Sequence, residues 1–293
     1  LIGRAYRMRR PAVRRSSRSA DPPICRSAPL PAPAEGWPAH GSGWVGSRRS
    51  HGTTTHDSAV VAALFAWILP PENLLLVNMP SRYNSALTKN AAADLAKNLA
   101  CLYCSLNIEE SVTMTERQVS PFIVQSFDGK LKQKIELSPF HLENVQARDR
   151  SSRLLSALAS AFGGVFSCNS NKTELVIGYS TLYGDLSGFL APLGDLWKQD
   201  VYELGRYLNA KIFQRQVIPE LSFNIVPSAE LSLNQAVEEG KGDPLIYPYH
   251  DQLFKSWMQW WNPVTPEELL EWYLSGELNL KLNITTVDVY KIF

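Results

Sequence analysis

Between Asp57 and Ile108 the chain alternates helix-like and strand-like stretches, and this alternation limits the possible folds more than any other feature. DSAVVAALFAWIL, starting at Asp57, sets a carboxylate at the helix start and then Ala, Val, Leu and Phe nearly all round, as a helix pressed on a sheet requires. Pro70 and Pro71 end it. NLLLVNM, ending at Met79, is a continuous apolar run suited to a strand covered on both faces. Past a loop at 80–85, Leu87, Ala91, Leu95 and Leu99 share one face of a helix over 86–100, and Leu102 to Ile108 reads as the next strand. This pattern predicts an α/β fold: an open, mostly parallel, Rossmann-like sheet with helices on both faces. Ligands bind such sheets outside the carboxyl ends of the strands, so the loop after each strand is the place for chemistry.

Composition divides the chain. Net charge is +1, yet residues 1–50 carry ten Arg, one Asp and one Glu, which leaves −7 for residues 51–293. So balanced a total argues against a protein that neutralises nucleic-acid phosphate over a broad face. Seven Pro, clustered Arg and Ser, and no apolar period predict that residues 1–52 are disordered and outside the fold, with the domain covering 53–293. The segment reads as an organelle transit peptide or as upstream sequence foreign to the domain, and its proline content favours the second. No apolar run reaches the roughly 18 residues of a membrane span. Cys25, Cys101, Cys104 and Cys168 lack zinc spacing and read as reduced thiols of a cytoplasmic protein. Asn171 and Asn283 fit a glycosylation sequon, taken as chance matches.

Residues 111–140 are polar, with turn signals at Asp128-Gly129 and Ser138-Pro139, and predict a mobile excursion. A long helix follows from His141, with Val145, Leu154, Leu155, Leu158 and Phe162 apolar, and Val165 to Cys168 is a short strand. Then comes NSNKTELVIGYSTLYGDLSGFLAPLGDLWKQDVYELGRYL, residues 169–208. Glu174 opens a short apolar helix, and Tyr183, Gly184 and Asp185 form a turn whose reversal is assigned to the glycine. A carboxylate thus stands at each end of one hairpin. Leu196, Val201, Leu204 and Leu208 stripe a second helix that holds Lys198 in its first turn, where a cation opposes the helix dipole and gains most from facing phosphate. Farther on, Trp257, Trp260, Trp261, Trp272 and Tyr273 suggest core or a subunit interface.

NKTE, GYSTLYGD and PLGDLWKQDVYELGRYLN, joined by MPSRYNS at 79–85, ENVQAR at 143–148 and NIVPSAELS at 224–232, resemble the synthetase domain of glutamine-dependent bacterial NAD synthetases over residues 57–290. The resemblance implies an adenine-nucleotide alpha hydrolase fold of the PP-loop type. Its reaction would be adenylation of deamido-NAD by ATP with Mg²⁺, then displacement of AMP by ammonia. It implies Asp57, Ser58 and Lys198 as catalytic; those three with Met79, Arg82 and Asn169 as ATP contacts; and Asp57 and Glu174 as metal ligands. Asn144, Arg148, Glu174, Tyr179, Ser180, Thr181, Leu182, Tyr183 and Asp185 would hold deamido-NAD. For Arg82 a plain surface charge is an equal alternative, and for Glu174 a helix-start acid. The family further implies a glutaminase domain as ammonia source, a homo-oligomer, and a basic segment beyond the position of Phe293. A GMP-synthetase-like or tRNA-thiolating PP-loop enzyme would share the loop but not GYSTLYGD.

One departure is large. Where the family has Ser-Gly-Gly-Ile-Asp-Ser after a buried strand, this chain has Thr53, Thr54, Thr55, His56, Asp57, Ser58. Threonines resist the angles that let backbone N–H groups cradle phosphate, at about 1–3 kcal/mol per strained residue. Trp44 to His51 is polar and basic, so the strand before the loop is expected to be lost, and His56 is an accident in an apolar position. The alternative to an active synthetase is therefore an impaired remnant that keeps only nucleotide binding or subunit contacts.

Overall fold

The computed structural model describes residues 43–48 and 55–291. In chain order come β1 (Gly43–Arg48), α1 (Thr55–Ile68), β2 (Leu74–Asn78), α2 (Ala86–Leu99), β3 (Leu102–Ser105) and α3 (Glu109–Val119). An antiparallel hairpin, β4 (Phe122–Gln125) and β5 (Lys132–Ile135), precedes α4 (Pro139–Arg148), which runs through a π-helical segment into α5 (Ser156–Phe162). The remainder is β6 (Gly164–Phe166), α6 (Lys172–Ile177), α7 (Lys198–Tyr207), α8 (Leu221–Asn224), α9 (Tyr247–Met258), α10 (Pro266–Leu274) and α11 (Leu278–Lys281).

One parallel sheet has the order β3-β2-β1-β6. The expected exclusion of residues 1–52 fails at Gly43–Arg48, which pairs in parallel with β2 on one side and β6 on the other. A central strand has ladder partners along both edges, so neighbours supply pairing that a count of its polar residues does not register. Residues 1–42 and 49–54, with most of the substituted phosphate loop, lie outside the described residues. From β1 the chain moves out through β2 to β3 and returns to the other side as β6, so strand order reverses at β1. The carboxyl ends of β1 and β6 therefore border the crevice where this architecture binds ligands.

β2 shows why the sheet needs an unbroken apolar run. Leu74 and Leu76 point into a core with α1, α2 and α7, while Leu75 and Val77 point into a second core with α3, α4 and α5. Ala91, Leu95 and Leu99 of α2 are buried as expected, but Leu87, in the first turn, is exposed. β3 stops at Ser105, short of the expected Ile108, and the expected excursion at 111–140 is instead a helix and hairpin whose Phe122, Ile123, Phe127 and Leu131 are exposed. Polarity there marked a solvent-facing position, not a lack of structure. A third cluster, with Leu253, Leu278, Leu282, Ile284 and Val289, organises α9 to α11 and takes in Trp272 and Tyr273, whereas Trp257, Trp260 and Trp261 stay exposed.

Candidate active site

Three helices bring charge to one buried point. Asp57 lies in the first turn of α1, Glu174 in that of α6, and Lys198 is the first residue of α7; all three side chains are fully buried. Lys198 Nζ sits 2.5 Å from Asp57 Oδ2 and 3.7 Å from Glu174 Oε1. Burial alone would lower the lysine's pKa, but the Asp57 and Glu174 carboxylates outweigh it and the group is held well above its usual range. Glu174 moves up for the matching reason: burial first, then the neighbouring Asp57 charge, favour its protonated form despite Lys198. The knot thus keeps a cation beside Asp57 and biases Glu174 toward its protonated form.

Asparagines fix the carboxylates. Asn171 caps α6: its Oδ1 accepts the Glu174 N–H at 3.1 Å, while Glu174 Oε2 accepts the Asn171 N–H at 3.2 Å. The Asn171 amide also donates to Asp57 Oδ2 at 3.3 Å, tying α6 to α1. Asn171 is fully buried, so its sequon offers no exposed acceptor. Asn169 donates to Ser58 Oγ at 3.2 Å and takes a bond from Ser167 Oγ at 2.7 Å, which joins the exit of β6 to α1.

Asp185 does not enter this knot. Its Oδ1 accepts the Thr181 N–H at 2.7 Å and Oδ2 the Ser170 hydroxyl at 3.4 Å. Burial raises its pKa to about 7 against the pull of those bonds. Of the three residues singled out in the 169–208 stretch, Glu174 and Lys198 thus meet at Asp57, while Asp185 closes the 181–185 turn. The expected role of Gly184 also shifts. Tyr183 takes the left-handed angle, φ 63°, and Gly184 is needed because a Cβ there would stand 2.9 Å from Ala147 Cβ and 3.0 Å from Thr181 Cβ.

The other expected contacts spread along this edge. Asn144 Oδ1 accepts the Thr181 hydroxyl at 2.7 Å and Arg148 Nε donates to the Leu182 carbonyl at 3.1 Å, so α4 seats the turn. Leu182 and Tyr183 are exposed, Ser180 is half-buried, and the Tyr179 hydroxyl donates to Asp243 at 3.3 Å. Met79 is buried in the second core and its carbonyl accepts Arg150 Nε. Arg82 grips Glu109 through Nε at 2.6 Å and a short contact from its terminal nitrogen, and its backbone N–H reaches the second oxygen at 2.9 Å. His56 is core: it stacks on Tyr202 at 4.3 Å between centroids, and burial lowers its pKa to about 4. Cys101 and Cys104 are half-buried free thiols and Cys168 is buried.

Sequence reasoning gave no role to Asp243 or Asp251, which both stand in KGDPLIYPYHDQLF, residues 241–254. Asp243 accepts the Tyr179 and Tyr247 hydroxyls, and the Tyr247 ring lies 5.1 Å from Lys198 Nζ. Chemically, the knot offers hard oxygen donors and one ammonium, a set suited to phosphate and its divalent counter-ion. Among the described residues no group of three or more His, Cys, Asp or Glu forms a closed metal cage.

Residues 53–273 match the family model described as NAD synthase. Relatives include a glutamine-dependent NAD(+) synthetase of Synechocystis, 38% identical over 181 residues, covering 61% of this chain and 30% of the relative. That of Xylella fastidiosa is 33% identical over 240 residues, covering 80% and 40%. The chain thus spans well under half the length of these relatives. Similar folds occur in an NMN synthetase from Francisella tularensis, TM-score 0.57 at 22% identity over 85% of this chain and 90% of that one. An NH3-dependent NAD synthetase from Campylobacter jejuni gives 0.56 at 23%, over 87% and 88%.

Proposed function

The chain belongs to the NAD synthase family, and from that membership we propose that it adenylates the nicotinate carboxylate of deamido-NAD with ATP and replaces AMP by ammonia to give NAD⁺. The observation that carries the reading is the Asp57–Lys198–Glu174 knot at the strand-order reversal. Adenylyl transfer needs no covalent nucleophile from the protein; it needs charge neutralised on the departing diphosphate. Lys198 is a cation held at the site by its carboxylates, ready to turn toward phosphate oxygens that outcompete Asp57. Ser58, at the start of α1 and held by Asn169, would donate to the same phosphates.

Asp57 and Glu174 are the residues that would hold Mg²⁺, with phosphate oxygens completing its shell, since two carboxylates plus substrate is the usual protein share for this ion. The bound ion would neutralise phosphate charge. A cation held there would favour the ionised form of Glu174, against the upward shift that burial and Asp57 impose. Asn144 and Arg148, with the turn from Tyr179 to Asp185, would form the dinucleotide's bed, and Arg82, beyond β2, would lie toward the adenosine of ATP. We expect a glutamine-hydrolysing domain, in this polypeptide or another, to supply ammonia, and a homo-oligomeric protein acting in the cytoplasm. No helix among the described residues is long and apolar enough to cross a membrane.

An impaired remnant draws less support, because β1 is in the sheet and Asp57 and Ser58 keep their partners. The test is release of AMP and diphosphate from ATP with deamido-NAD and ammonium. Product is expected from the chain and not from Lys198→Met; equal background from both would overturn the proposal.

A further inference from the structure

α9 touches neither Asp57 nor Glu174 in any bond described above, yet it carries the acid that holds the bases of both α6 and α7. Asp251 is fully buried. Its Oδ1 accepts the Thr173 hydroxyl at 2.6 Å, and its Oδ2 accepts the Gln199 N–H at 2.8 Å. Thr173 Oγ in turn accepts the Lys198 N–H at 3.0 Å. Hence two of the N–H groups at the start of α7, which no intrahelical carbonyl can satisfy, are capped from outside by one carboxylate and the hydroxyl it orients. Thr173 directly precedes Glu174, and Lys198 directly precedes Gln199, so the same two bonds set the separation of the carboxylate and ammonium groups of the knot.

We propose that Asp251, acting through Thr173 and the Gln199 N–H, is a positioning residue that sets Lys198 and Glu174 for reaction. This rests on the reaction proposed above. An aspartate suits the task because one side chain must accept two bonds at once: the hydroxyl's single proton goes to Asp251, which leaves its oxygen lone pairs facing the Lys198 N–H. An asparagine offers one acceptor oxygen, so one of the two donors is left without a partner. Lys255, one turn farther along α9, pairs with Asp200 at 3.0 Å and braces the same junction from the protein's outer side.

The test uses the full chain, with Asp251→Asn, Thr173→Val and Thr173→Ser, each checked for folding by circular dichroism. The first readout is the KM and kcat of AMP release. Asp251→Asn and Thr173→Val are expected to lower kcat about 10- to 100-fold with KM for ATP nearly unchanged, and Thr173→Ser to restore it. Should Asp251→Asn not fold, Thr173→Val, which deletes only the oriented hydroxyl, carries the comparison with Thr173→Ser. The second readout needs no activity: acylation of lysines by a water-soluble succinimidyl ester, mapped by mass spectrometry, with exposed Lys130 as reference. Lys198 is expected to be protected in the parent and in Thr173→Ser, and to label about tenfold faster in the other two. Unchanged kcat and unchanged protection in both would overturn the positioning role. A parent chain that releases no AMP would overturn the reaction instead, and the labelling would still decide the role of Asp251.

Discussion

Two ion pairs lie at the carboxyl edge of the sheet, and they differ in nearly everything but their ingredients. Lys198 with Asp57 and Glu174 is sealed, each side chain at 0% exposure; Arg82 with Glu109 leaves 56% and 31% of the two side chains in solvent. In water the Arg82 pair is worth little, because solvent serves either partner nearly as well. In the interior, removal of one partner strands the others, so the Lys198 knot couples three helices as tightly as it couples charges. A buried knot can therefore be both a fold determinant and a reaction centre, whereas an exposed pair sets the direction of one side chain.

The hardest blow to this contrast is Lys198→Met. Asp57 and Glu174 would be left in the interior without their cation, with an expected loss of about 3–5 kcal/mol of stability by denaturant unfolding. Activity should fall at least about 10²- to 10³-fold. A variant as stable as the parent would show that the knot is not the structural tie the geometry indicates.

The pH dependence of stability separates a second pair of buried groups, Asp185 and His56. Asp185 titrates near 7 in the fold against 3.8 ordinarily, so the folded chain holds a proton that the unfolded chain has shed, and stability contributed by this group is lost as pH rises from about 4 to 7. His56, near 4 against 6.5, has the reverse sign: the unfolded chain binds the extra proton, and stability is lost as pH falls through that window. Asp185→Asn should thus gain on the parent by on the order of 3 kcal/mol between pH 4 and 7. His56→Leu should gain on it in the other direction. Parallel stability curves for parent and variants would contradict both assignments.

How much of this was legible beforehand depended on the kind of signal. Unbroken apolar runs found α1 and β2, and periodicity found the buried face of α2, because burial on all sides leaves a continuous run and burial on one side a repeat. Both signals missed β1, whose place is fixed by ladder partners, and the β4–β5 hairpin, whose solvent-facing residues carry no stripe. Motif likeness named Asp57, Glu174 and Lys198, and these meet. It also grouped Asp185 with Glu174, since nearness along a hairpin does not say toward which neighbour a side chain turns. Asp251 and Asp243 were visible as letters only, their roles depending on a fold that brings residues 243–251 back to α6 and α7.

Between those extremes stands Gly184. A Cβ at this position would press on Ala147 of α4 at 2.9 Å, and neither backbone can retreat without moving the turn that Asp185 caps. Gly184→Ala should cost about 1–3 kcal/mol in thermal or denaturant unfolding. It should raise KM for deamido-NAD with little change for ATP. Equal rises for both substrates would mean that the turn serves the whole edge and not one ligand.

The smallest expected effect belongs to the exposed pair, and it is the sharpest check on the comparison. Glu109 accepts from the Arg82 backbone and from its guanidinium, so the carboxylate fixes both the loop after β2 and the direction of the side chain. The Arg82 pairing is also the first cause of the lowered Glu109 pKa. Because solvent screens it, Arg82→Ala or Glu109→Ala should change stability by no more than about 1 kcal/mol. If Arg82 lies over the nucleotide, Arg82→Ala should still raise KM for ATP about tenfold, the equivalent of one charge-assisted hydrogen bond. Glu109→Ala should raise it less, since the guanidinium remains and only its orientation is lost. A stability loss rivalling that of Lys198→Met would erase the distinction between sealed and open pairs, and an unchanged KM would return Arg82 to the status of a surface charge.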